Sequence, residues 1–159
     1  MGAPVLPHRR MGARRRAEIA AGKAAFAQRT DAERIVLCLP TPISVNDLHA
    51  PRAGGGIRRS DAYEAWLTEA GWRLAAQRPG RIAGRYTLDL GLPRESGLDL
   101  DNAVKAASDL LQLHGVIRND RNAERIGLWW QDATAETVIV VEPADAPVTM
   151  PYLANGGLA

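Results

Sequence analysis

The sequence has a single cysteine, Cys38, so no disulfide can brace it and a reducing compartment is the expectation. Cys38 falls in the apolar run RIVLCLP, where a small buried thiol is expected. No apolar run approaches membrane-spanning length, and the N-terminus lacks the apolar segment of a signal peptide, so a cytoplasmic protein with no membrane partner is expected. Acid is nearly missing from the first thirty residues, where Glu18 stands alone against Arg9, Arg10, Arg14, Arg15, Arg16, Lys23 and Arg29. A basic arm of that kind suits a polyanion, and a solvated extension with no partner is the plain alternative.

The 159 residues suit one domain with a core that needs no staple. Residues 1–33 read as a partly helical or mobile arm, 34–142 as the folded domain and 143–159 as a loose tail. RIVLCLP reads as a buried first strand, and the Pro-, Gly- and Arg-rich TPISVNDLHAPRAGGGIRRS as a long loop. Asp61 with Glu64 gives a capping signature for a helix whose face carries Ala62, Trp66, Ala70 and Leu74. RYTLDLGL alternates as a strand with one side buried.

A second helix follows, with Ala103, Val104, Ala106, Ala107, Leu110, Leu111 and Leu113 on one arc and Asp101, Lys105, Ser108, Asp109 and Gln112 on the other; Gly115 ends it. RIGLWWQ and ETVIVVE read as two strands joined by a hairpin through DATA. Trp129 and Trp130 then face opposite sides, one toward the core and the other toward an interface, and His114 is expected to cap helix carbonyls. The order strand, helix, strand, helix, strand, strand predicts an α/β domain, a small mixed four-stranded sheet packed against helices, with parallel crossovers and an antiparallel closing pair.

The stretch DLDNAVKAASDLLQLHGVIRND, residues 99–120, carries the chemistry. Asp99 and Asp101 flank Leu100, so in extended chain both carboxylates leave on one side and repel. A hard divalent cation removes that repulsion, and acids without nearby His or Cys suit Mg²⁺ or Mn²⁺ better than zinc. Lys105 lies one helical turn beyond Asp101 and can reach a phosphate. Asp120 can join Asp99 only if the chain returns along the helix. The same residues also fit a plainer arrangement: an N-cap aspartate, an exposed ladder of Asp101, Lys105 and Asp109, and a turn at RND.

That stretch resembles the signature of the RusA-like endodeoxyribonucleases, Holliday junction resolvases. Asp99, Asp101, Asn102, Lys105, Asp109, Gly115 and Asp120 match in register, and LPTPISVN upstream places Asn46 at the family's Asn. The resemblance implies a Mg²⁺-dependent homodimer that cuts a four-way DNA junction in recombination and repair. It also implies that Asp99, Asp101 and Asp120 hold metal, with Lys105 needed for cleavage. Asn102, Asp109 and Asn119 would then support these groups, while Asn46, Arg52, Arg58 and Arg59 would contact DNA. Asn119 departs from the pattern by standing where the family usually has an acid, and His49 by replacing an aromatic residue. A branched-DNA-binding protein of the same fold without cleavage is the alternative.

Overall fold

Along the first strand, β1 (Ile35–Leu39), burial alternates: Ile35, Leu37 and Leu39 point inward, and Val36 and Cys38 face out. The structure is a computed structural model, and it describes residues 31–144. Most of the expected arm and tail lies outside the described residues. The expectation of a buried Cys38 is corrected. β1 is an edge strand whose one partner is the last strand, so an apolar run read as buried throughout keeps a solvent side.

The open edge of β1 is closed locally by Gln77. The Cys38 N–H donates to Gln77 Oε1 at 3.0 Å, and Gln77 Nε2 donates to the Cys38 carbonyl at 2.9 Å. A side-chain amide thus takes the place of a neighbouring strand and blunts edge pairing.

The presumed long loop contains a short antiparallel pair, β2 (His49–Pro51) and β3 (Ile57–Arg59). Gly54, Gly55 and Gly56 have φ of 91°, 103° and 85°, a backbone that glycine adopts without strain and that reverses the chain between them. Helix α1 (Asp61–Ala76) begins at Ser60, whose Oγ accepts from the Tyr63 N–H at 3.1 Å. The cap is therefore one residue earlier than expected. Asp61 instead pairs with Arg58. The buried face is Tyr63, Trp66, Leu67, Ala70, Gly71 and Leu74, and Ala62 is exposed.

Strand β4 (Tyr86–Pro93) buries Tyr86, Leu88, Leu90 and Leu92 on one side, as its alternation requires. A 3-10 turn, Leu100–Ala103, leads into α2 (Val104–Leu113). α2 buries Ala106, Ala107, Leu110 and Leu111, but also Ser108, while Leu113 at its end is exposed. The helix shows its apolar stripe over a narrower arc than the sequence suggests.

Strands β5 (Ala123–Gln131) and β6 (Thr137–Pro143) complete a sheet in the order β1-β6-β4-β5. β4 and β5 are parallel, and β6 lies antiparallel between β1 and β4. It follows that β1, β4 and β5 all run one way, so both helical connections are parallel crossovers. The expected β5–β6 hairpin is not formed. The chain instead steps over the end of β4, and Gln131 organises that step. Its Nε2 donates to the carbonyls of Thr134 and Glu136 at 2.7 and 2.8 Å, and its Oε1 accepts from the N–H groups of Ala133 and Thr134 at 2.8 and 3.0 Å. β6 is apolar on both sides, which suits a place between two strands better than one beside an edge. Among the described residues, no helix is long and apolar enough to cross a membrane.

Candidate active site

Lys105 stands in the first turn of α2, and its ammonium pairs with Asp109 one turn later and lies 3.6 Å from Asp120 Oδ2. The i,i+4 spacing brings the first pair together, and the return of the chain brings the second. Asp120 opens a 3-10 turn, Asp120–Asn122, just before β5, and its backbone is held twice. Its N–H donates to Gln112 Oε1 at 3.0 Å, and its carbonyl accepts from the Tyr86 hydroxyl at 3.3 Å. Asp109 accepts in turn from the Tyr63 hydroxyl at 3.2 Å.

These contacts set the protonation states. The hydrogen bond that the Lys105 ammonium donates to Asp109, reinforced by the charges of Asp109 and Asp120, holds the Lys105 amine above its ordinary range. Burial, followed by the charge of Asp109, pushes the Tyr63 phenol up to about 12, and burial with the charge of Asp120 does the same for Tyr86, also to about 12. Lys105 therefore remains a cation near neutral pH, and both tyrosines remain hydrogen-bond donors. A group held this way stabilises charge; it does not abstract protons.

Asp99 is exposed and in extended backbone, and its Oδ2 accepts from Asn102 Nδ2 at 3.3 Å while its carbonyl accepts from the Asn102 N–H at 3.1 Å. Asn102 thus steadies Asp99. Asp101 lies in the 3-10 turn, not in α2, and its side chain makes no hydrogen bond or ion pair among the described residues. Lys105 pairs with Asp109 and Asp120, so of the plainer ladder of Asp101, Lys105 and Asp109 the Lys105–Asp109 rung is formed. Asn119 caps the turn at Asp120, its Oδ1 accepting from the Arg121 N–H at 3.0 Å.

The donor set fits a hard cation in kind, because the candidate ligands are carboxylates with no thiol or imidazole among them. The cation seated against Asp120 is the Lys105 ammonium. Among the described residues, no group of three or more His, Cys, Asp or Glu side chains is drawn together in a way that could hold a metal ion. Asp99 and Asp101 carry exposed carboxylates, that of Asp99 bonded to Asn102, and the structure gathers Lys105, Asp109 and Asp120 rather than the three expected ligands.

Of the proposed DNA contacts, Arg58 and Arg59 are neutralised by α1. Arg58 forms a two-pronged pair with Asp61 at 2.5 and 3.2 Å, which keeps the guanidinium above and the carboxyl below its ordinary range. Arg59 lies 3.5 Å from Glu64 and 5.7 Å above the Tyr63 ring. Arg52, on the β2–β3 turn, is exposed and makes no side-chain ion pair among the described residues. Asn46 is exposed in a 3-10 turn, Val45–Asp47, that packs against α2 and the turn bearing Asp101. Between this segment and Leu98 opens a cleft of about 420 Å³ lined by Ser44, Asp47, His49 and Ser60.

Other expectations divide. Trp129 and Trp130 do face opposite sides, the first exposed over Gly91 and the second packed against the core. The His114 imidazole lies against Gly71 of α1, so close that a Cβ there would stand 2.6 Å from its Nε2, and among the described residues it caps no carbonyl. Sequence reasoning missed Tyr63, Tyr86 and Gln112, three side chains that fix the acids around Lys105. The spacing of Tyr63, Trp66, Leu67, Ala70 and Leu74 is the helical signal that could have found the first. A scan against protein-family models and a search of curated proteins both return no match for this chain.

Proposed function

We propose that the chain is a structure-specific endodeoxyribonuclease of the RusA-like kind, acting on four-way DNA junctions. The observation that carries this reading is the Lys105 ammonium held between Asp109 and Asp120, with Asp99 and Asp101 on the turn that leads into the same helix. A cation flanked by exposed acids is an arrangement for handling a phosphodiester. An ordinary surface ladder would not need buried tyrosines to orient its acids.

The chemistry that Mg²⁺ or Mn²⁺ supplies, when bound by Asp99, Asp101 and Asp120, is Lewis-acid polarisation of the phosphodiester and activation of water. The chain's own residues do the rest. Lys105 places positive charge where negative charge develops on the phosphorus oxygens. Asn102 steadies Asp99, and Gln112 and Tyr86 fix the backbone that presents Asp120. Arg52 and Asn46 meet the sugar-phosphate backbone, contacts that position DNA without reading its sequence. A homodimer would offer two such sites to the two like strands of a junction.

The scattered carboxylates favour one rival, a protein of this fold that binds branched DNA and leaves it intact. An end-labelled four-way junction separates the two. With Mg²⁺ the full chain is expected to yield two symmetric nicks, and with EDTA a shifted band and no product. Binding under both conditions with no nicks would establish the rival, and no preference for the junction over duplex DNA would overturn both.

A further inference from the structure

Trp72 and Leu113 are large apolar side chains left 76% and 60% exposed on neighbouring helices. They rim an open groove of about 400 Å³ between α1 and the end of α2, floored by Leu67, Gly71, Ala75 and His114. Gly71 carries no side chain and lets the His114 imidazole lie against α1 at the groove floor. Two large apolar groups on one groove form a patch that soluble domains normally cover.

The chain enters the structure beside this groove. The Asp31 N–H donates to the Arg81 carbonyl at 2.9 Å, and its Oδ1 accepts from the Arg81 N–H at 2.5 Å. Asp31 lines a smaller cavity with Ala75 and His114, and those two residues belong to the groove as well. The thirty residues before Asp31 therefore start at the groove's edge.

Their sequence suits it. Residues 14–29 read RRRAEIAAGKAAFAQR, in which Ile19 and Phe26 are the large apolar residues and the positions between them are Ala and Gly apart from Lys23. Seven residues apart, Ile19 and Phe26 would share one face were the segment helical, with small residues allowing close approach. Phe26 is five residues from Asp31, a tether of at most about 17 Å.

We propose that residues 14–29 dock on their own domain, seating Ile19 and Phe26 in the groove beside Trp72 and Leu113. So short a tether gives the segment an effective concentration in the millimolar range, which favours it over a second copy. The docked segment would hold Arg14, Arg15 and Arg16 against the domain as a fixed basic ridge. This inference stands apart from the nuclease reading, since it needs neither DNA nor metal.

Phe26 is the one phenylalanine of the chain, so selective labelling reports it alone. In the full chain labelled with ¹³C-phenylalanine, ring protons are expected to show nuclear Overhauser contacts to the Trp72 indole and Leu113 methyls, unchanged on dilution. Leu113→Glu, at an exposed position, is expected to abolish them and move the ring signals to random-coil values while the core spectrum is kept. Random-coil signals in the unaltered chain would overturn the proposal. So would contacts to other surfaces, or contacts seen only between differently labelled copies.

Discussion

Replacing Lys105 by Met is expected to lower the rate of junction nicking by about 10²- to 10³-fold, the usual cost of removing one preorganised group that stabilises transition-state charge. Junction binding, measured by gel shift, should change by no more than about threefold, because phosphate affinity is spread over many cations. The split follows from geometry: the Lys105 ammonium faces Asp109 and Asp120, so its charge is aimed at the site and not at the wider DNA surface. Equal losses in binding and nicking would place Lys105 among ordinary phosphate contacts. The raised amine also fixes a pH sign. Whatever stability the cation adds is complete below the ordinary lysine range and fades only as pH rises through the raised value. Activity between pH 6 and 9 should therefore show no titration of this group.

Leu90→Ala is expected to cost about 2 to 5 kcal/mol of folding stability. Leu90 is fully buried on β4, facing Leu128 of β5 on one side and Ile139 of β6 on the other. A hole there opens between strands that cannot close in without moving the whole sheet. Against a typical domain stability of about 5 to 15 kcal/mol the loss is large. Urea denaturation followed by tryptophan fluorescence measures it. A loss below about 1 kcal/mol would mean that β4 is not the strand around which the core is packed.

Much of this arrangement is visible in the residues alone. The alternation of RYTLDLGL marks β4, and the spacing of Lys105 and Asp109 marks a pair on one helix face. What the sequence hides has physical causes. Whether a strand lies at an edge depends on partners far along the chain, so Cys38 and Val36 look buried and are not. The place of β6 between β1 and β4 depends on Gln131 turning the chain across the sheet, which no local pattern announces. Arg58 and Arg59 look available to phosphate until α1 sets Asp61 and Glu64 beside them. The acids of the site show the same limit. Their carboxylates mark them as candidate hard ligands, while only the fold decides that Asp120 meets Lys105.

Under the proposed function, Asp99, Asp101 and Asp120 would hold one divalent ion next to Lys105. Titrating Mn²⁺ into uniformly ¹⁵N-labelled full chain tests it most directly, since the ion broadens amide signals near its site. Broadening centred on residues 99–102, 105 and 120, and lost in Asp101→Asn, is the expected result. Broadening centred instead on the acids of α1, or spread evenly over the surface, would contradict it.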